Sequence, residues 1–229
     1  MKKIKLLSLM VGMVIAMVFS SCNSDTSSSY KVLTPQEKSY CYNLVAGSRM
    51  NKLVYSSDEH VTEVATSAGK QKEYLDTVSV DTRIYGTGKD TLLSIRNIPL
   101  KIFARYIPEG SETNDLKEAL KKYEGTASLN MQVGFYATEP VTFLLYPTSV
   151  LSCSLEYGGA THKIDFYITA PSYYTYGQYN ANTKQVSAYI LVYGYKIDAT
   201  DKDSSQPKQF SYKFENSNTY TSAQIGLFE

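Results

Sequence analysis

The two histidines, the acidic residues and the glycine turns are the first places to look for chemistry in this chain, and each reads as structure. His60 and His162 have no second His or Cys at zinc-like spacing, and Asp58-Glu59-His60 has the composition of a solvated turn, so no metal site is expected. His162 and Asp165 stand three residues apart in an alternating segment, which puts them on opposite faces of a strand and argues against a catalytic dyad. No Gly-x-Ser-x-Gly elbow occurs. Gly88-Lys89 is not a phosphate loop, because Arg83 stands where the first glycine is required and Asp90 replaces the metal-binding Ser or Thr. Asp198, Asp201 and Asp203 offer oxygens to calcium, but without EF-hand spacing or its sharp-turn glycine they read as a solvated loop. Among the 22 acids, nothing in their order selects a carboxylate pair of the glycosidase kind. The expectation is a protein with no catalytic residues, no metal and no cofactor, hence not an enzyme.

Two sets of residues do suggest a role. Tyr173, Tyr174, Tyr176 and Tyr179, with Asn180 and Asn182, fall in residues 171–183, a polar stretch without apolar periodicity that reads as a loop. Exposed rings with amide neighbours can stack on sugar faces and bond their hydroxyls, or anchor a protein partner. The alternative is a loop that folds its tyrosines onto the domain's own surface. The second set surrounds Cys22. Lys2, Lys3 and Lys5 precede the apolar run Leu6–Phe19, which is shorter than the roughly twenty residues a transmembrane helix needs and suits a secretory signal.

The run closes on Phe19-Ser20-Ser21-Cys22, which resembles the lipobox of bacterial lipoproteins. The resemblance implies cleavage before Cys22 and acylation of its thiol and new amino terminus; several acyl chains at one residue give stable anchoring, which one chain does not. The alternative is an ordinary cleaved signal peptide that leaves Cys22 a free thiol. Residues 1–21 then form the signal peptide, 22–30 a lipidated tether of small polar residues, and 31–229 one β-rich domain. Asn23 in place of the Asp that often retains lipoproteins on the inner membrane points, by the same resemblance, to the outer membrane, with the domain facing either the periplasm or the outside. Cys41 and Cys153 can pair in an oxidising compartment or stand apart as small buried hydrophobes.

Without residues 1–21, which carry three lysines and no acid, the net charge passes from +1 to −2. A near-neutral chain without a basic stripe argues against nucleic acid as partner. The remaining 208 residues suffice to bury a real core. Tryptophan is absent while tyrosine numbers 21, an excess that fits strands with many half-exposed positions.

The elements that must carry these residues begin with Thr34-Pro35-Gln36-Glu37, a helix start with Thr as N-cap and Pro at the first helical position. Asn51–Tyr55 predicts a first strand, and a helix lying before it as a plug is a device of small barrels and lipocalin-like folds. Residues 74–85 alternate, with Val78, Val80, Thr82 and Ile84 on one face, and a glycine turn leads into a return strand at 91–98. Leu100, Phe103, Ala104 and Ile107 then fall on one helix face, and Thr113 caps a second helix with Leu116, Ala119, Leu120 and Tyr123 on its stripe. The clearest strand spans 127–137, with Leu129, Met131, Val133 and Phe135 alternating against polar neighbours. Leu151, Cys153 and Leu155 pair through Gly158-Gly159 with Ile164, Phe166 and Ile168. Residues 185–197 place Val186, Ala188, Ile190 and Val192 on one face and Tyr189, Leu191, Tyr193 and Tyr195 on the other. Phe210, Tyr212 and Phe214 suggest a last strand, after which Ile225, Leu227 and Phe228 dock the C-terminus on the core.

These patterns predict a mainly β (α+β) domain, an antiparallel barrel or sandwich, lipocalin-like in its plug, with an N-terminal helix and two short mid-chain helices. The Cys22 context, the Thr34–Glu37 helix, Lys52-Leu53-Val54-Tyr55, Ile98-Pro99-Leu100-Lys101-Ile102-Phe103 and Leu116-Lys117-Glu118-Ala119-Leu120 resemble a group of uncharacterised lipoproteins of Bacteroidetes-type bacteria. That resemblance implies a location and carries no activity or site residues with it. Two functions stand: a non-enzymatic binding or scaffolding module for a glycan or envelope protein, and a structural or lipophilic-ligand-carrying barrel or subunit of a surface assembly.

Overall fold

The computed structural model describes residues 32–57, 62–66, 69–73, 75–169, 175–200, 205–213, 219–220 and 223–228. Helix α1 spans Pro35–Val45, a 3-10 helix Leu100–Tyr106 and α2 Asn114–Lys121. The strands are β1 (Gly47–Ser56), β2 (Thr62–Thr66), β3 (Gly69–Glu73), β4 (Leu75–Gly86), β5 (Thr91–Pro99), β6 (Thr126–Thr138), β7 (Val141–Pro147), β8 (Leu151–Tyr157), β9 (Ala160–Ile168), β10 (Tyr176–Asn180), β11 (Gln185–Ile197), β12 (Lys208–Gln209), β13 (Tyr212–Lys213), β14 (Thr219–Tyr220) and β15 (Ala223–Phe228).

Eight strands, β1, β4, β5, β6, β7, β10, β11 and β15, pair antiparallel each with the next, and β15 pairs back to β1. The protein is therefore mainly β and closes as an up-and-down barrel, not a sandwich, so its central sheet has no open edge. The second half of β11 runs past the barrel strands and carries β9, and through it β8, on one side and β12 on the other. The β2–β3 hairpin is a two-stranded sheet described by itself, Thr62 opposite Glu73 and Thr66 opposite Gly69.

Alternation along each strand turns one row inward. Leu53, Val80, Ile95, Leu129, Met131, Phe143, Leu145, Ile190 and Ile225 all belong to one buried core cluster, and eight strands make a barrel about wide enough for side chains to fill. The polar pair inside is satisfied across β1 and β4, where the Thr82 hydroxyl donates to Asn51 Oδ1.

Both ends carry helices. At the end where β1 begins, Thr34 and Glu37 form a capping box, Glu37 N–H donating to Thr34 Oγ1 at 3.2 Å and Thr34 N–H to Glu37 Oε2 at 2.8 Å. Cys41 and Val45 of α1 enter the core, and Arg49 Nη1 donates to Val45 O at 2.7 Å, closing the helix's last turn. At the opposite end the expected helix with one apolar face is instead a 3-10 turn buried at Leu100 and at all of Ile102–Tyr106. Phe103 stands 4.9 Å from Phe166 and 6.2 Å from Phe210, ring centre to ring centre, so the segment is a stopper among aromatics. Thr113 precedes α2 without capping it; its hydroxyl donates to Pro108 O instead.

Three further sequence expectations change. Residues 176–180, read as loop, form β10, the strand that joins β7 to β11 and closes the barrel. Its inward positions are Gly177 and Tyr179, so the apolar alternation that marks a strand is missing. The C-terminal residues do not merely dock: Ala223–Phe228 is a full barrel strand between β1 and β11. Tyr195, placed from sequence on the face opposite Val186, Ala188, Ile190 and Val192, instead joins their core cluster and is 1% exposed against Phe210, because a register shift between Val192 and Gly194 moves it to the other face.

Candidate functional site

The tyrosines and asparagines singled out from sequence do not form one surface. Tyr179 points inward and is a core residue. Asn180 shapes the β10–β11 turn, its Oδ1 accepting from Asn182 N–H at 2.9 Å and Thr183 N–H at 3.2 Å. Asn182 is exposed in that turn. Tyr176 lies on the outer row of β10, its ring 5.2 Å from Tyr189, which meets Phe228 edge-on at 5.7 Å. Burial pushes the Tyr189 phenol up to about 12 and raises Tyr176 as well, so both stay protonated and serve as packing. Tyr173, Tyr174 and Cys22 lie outside the described residues, as do His60, Asp201 and Asp203.

Cys41 and Cys153 do not form the disulfide weighed from sequence; both are free and buried. Cys41 belongs to α1 and its thiol points to Ala137 O at 3.7 Å, while Cys153 faces Ile164 across β8 and β9. Burial pushes the Cys153 thiol up to about 11, which suits an inert packing residue.

His162 pairs not with Asp165 but with Asp198, Nδ1 to Oδ2 at 2.7 Å, and stacks 4.3 Å from the Tyr157 ring. Asp198 also accepts from Lys163 N–H at 2.8 Å and adopts φ 51° at the end of β11. The His162 hydrogen bond, then that of Lys163, holds the Asp198 carboxyl below its ordinary range. Among the described residues no serine or cysteine is hydrogen-bonded to the ring, so the pair ties β9 to the end of β11. Asp165, buried, accepts from the Ser152 hydroxyl and from Lys163 Nζ at 3.0 Å.

The strongest binding geometry is elsewhere, on the outer face of β6 and β7. Gly134 sits mid-strand in β6, and a Cβ there would come 2.8 Å from Tyr146 Cε2, so the Tyr146 ring lies across the glycine. A ring covering a strand glycine in this way repairs the missing side chain and holds the ring flat. Tyr146 keeps 41% of its surface exposed, and Tyr136, two residues beyond Gly134, keeps 47%. Tyr146 and Gln132 are direct partners across the two strands.

A groove of ≈ 270 Å³ opens here, lined by Tyr146, Gly134, Gln132, Lys38 of α1 and Lys89 of the β4–β5 turn. The two lysines come together because Gly88 rests on the α1 backbone, where a Cβ would stand 2.6 Å from Ser39 N. Among the described residues none that lines it is acidic. The groove thus offers one aromatic face, one amide and two ammonium groups. Tyr146, Gln132 and Lys38 carry no signal in sequence, and Lys89 reads there only as part of a turn; the usable signal was a glycine at the centre of an alternating strand.

Residues 44–197 match the family described as Domain of unknown function (DUF4840). The chain belongs to that family. No curated protein and no solved structure matches it. The DUF4840 match holds β1 to β11 and includes Gly88, Gln132, Gly134 and Tyr146, while Lys38 and the closing strand β15 lie outside it.

Proposed function

We propose that this DUF4840 protein is a non-enzymatic binding module, held at the outer membrane by lipid on Cys22, that takes a glycan in the Tyr146 groove. The observation that carries the reading is the exposed Tyr146 ring held flat over Gly134 with Gln132, Lys38 and Lys89 around it. A sugar ring presents axial C–H groups that pack on an aromatic face, and hydroxyls that an amide can both donate to and accept from. The two lysines favour a sugar that carries a carboxylate or sulfate.

The inward row supports an outer-surface site over a ligand held in the lumen, because side chains from every barrel strand occupy the space such a ligand would need. An envelope protein seated on Tyr136 and Tyr146 is the second reading, favoured by the exposure of both rings.

The test is a glycan array, neutral and acidic sugars together, probed with the full chain and with Tyr146→Ala and Gln132→Ala. Both positions are exposed, so the barrel survives the changes, as far-UV circular dichroism will confirm. Tyr146→Ala should lower affinity at least tenfold, about 1.4 kcal/mol, through loss of the aromatic face. Binding that is unchanged in both variants, or a wild type that retains no sugar, refutes the glycan reading.

A further inference from the structure

The aromatic face of the Tyr146 groove comes from the sheet, and all of its charge comes from one place, the contact of α1 with the β4–β5 turn. A Cβ at Gly88 would stand 2.6 Å from Ser39 N and 2.8 Å from Lys38 C, so turn and helix touch backbone to backbone. Lys38 and Lys89 are the chain neighbours of these touching residues, and both line the groove. Among the described residues neither ammonium has a partner. Of the acids next to them in the chain, Glu37 accepts from Thr34 N–H at 2.8 Å and from the Thr34 hydroxyl at 3.0 Å, and Asp90 is exposed without pairing to Lys89.

We propose that this cation pair is a carboxylate clamp, so that the sugar taken by the groove is a uronic acid, and that Gly88 is the positioning residue for the pair. The inference rests on the glycan reading above. A uronate carries its carboxylate on a ring carbon, at the edge of the ring whose C–H face packs on Tyr146. Its two oxygens can each accept from a separate donor. Two ammonium groups brought by two segments match that pattern, and the lining contains no guanidinium fork that would meet it from a single side chain. Two cations drawn together without an acid also repel each other, and a bound anion removes that repulsion. Gly88 sets the spacing: any side chain there must push the turn off α1, while Tyr146, Gln132 and both charges stay in the protein.

The test is calorimetric titration of the full chain with short oligomers of galacturonate, glucuronate and mannuronate, each beside its methyl ester, and with galactose 6-sulfate. At least one uronate should bind about tenfold tighter than its ester at low salt, with the ratio narrowing as salt is raised. Lys38→Gln and Lys89→Gln should each weaken binding of the acid about tenfold and leave the ester unchanged. Gly88→Ala should lower the acid-to-ester ratio by about threefold or more, a readout that a merely loosened barrel would not move, because loosening weakens both ligands alike. The lysines lie at surface positions and carry the test if Gly88→Ala does not fold. Equal affinity for acid and ester overturns the clamp, as does an undiminished ratio in the Lys38→Gln, Lys89→Gln double variant or a preference for the sulfate over every uronate. An unchanged ratio in folded Gly88→Ala overturns its positioning role. A protein that binds neutral sugars but no uronate overturns this inference and leaves the glycan reading standing, whereas one that binds no sugar of any kind overturns both.

Discussion

Barrel closure at β10 depends on a residue with no side chain, and replacing Gly177 tests the whole arrangement. Gly177 faces inward, paired with Phe143 on β7 and Ala188 on β11. A Cβ built at Gly177 would stand 2.1 Å from Phe143 Cε2 and 2.2 Å from its Cζ, far inside contact distance of a ring that is fully buried and meets Phe135 edge-on at 5.8 Å. In an open site Gly177→Ala would stabilise by about 0.4–1 kcal/mol, because alanine has less unfolded-state freedom to lose. Here overpacking opposes that gain. Forcing a ring aside in a filled core costs about 1–3 kcal/mol, so the net expectation is a loss of about 1 kcal/mol. With a urea slope of about 2 kcal/mol/M, the midpoint should fall by about 0.5 M.

Phe143→Leu makes room at the price of packing, a loss of about 1–2 kcal/mol by itself. If the two groups compete for one volume, the double variant loses much less than the sum, with a coupling of about 2 kcal/mol against an additivity error of about 0.3–0.5. The assay is equilibrium urea unfolding of the four proteins. A neutral or stabilising Gly177→Ala, or strictly additive losses, would refute both the inward placement of Gly177 and the closure of the barrel through β10.

Burial keeps the Cys153 thiol and the Tyr189 phenol protonated to about 11 and about 12 in the folded protein, from ordinary values of 9 and 10. The unfolded chain releases those protons first, so stability should hold below pH 9 and fall progressively above it; a flat urea midpoint between pH 8 and about pH 11 contradicts this. The same burial predicts that Ellman's reagent leaves Cys41 and Cys153 unmodified at pH 8 until denaturant is added, and rapid labelling of the native protein would count against it. Asp198 titrates the other way: held low by His162 and Lys163, its contribution is present above about pH 4 and is lost as the pH drops through its lower folded value. Asp198→Asn should tolerate the positive φ yet flatten that acid-side slope, which urea midpoints from pH 5 to pH 2 would show; an unchanged slope means the pair is not formed in solution.

Much of the architecture was legible along the chain because its signals are local. The Thr34–Glu37 capping box needs four residues, the β8–β9 turn needs Gly158 and Gly159 at φ 59° and 82°, and the inward row of β6 follows from alternation. The tyrosine-rich stretch 171–183 stands out by composition alone. What that stretch does could not be read there. Tyr179 packs inward and Asn180 closes a turn only because β10 has β7 and β11 on its two sides.

The rest was decided by residues far apart in sequence. A bulge in β11 set Tyr195 facing inward, β15 returned from the C-terminus to join β1, and a ring from β7 took the place of the side chain that Gly177 lacks. The candidate groove arises in this way. Tyr146 becomes a flat platform because Gly134 on the neighbouring strand leaves room beneath it, and Lys38 meets Lys89 because Gly88 lets a turn rest on a helix backbone. Propensity, capping and alternation act over a few residues and are written in the order of the chain. Closure, register and the sharing of one volume by two side chains depend on where distant segments meet, and that is settled only when the barrel forms.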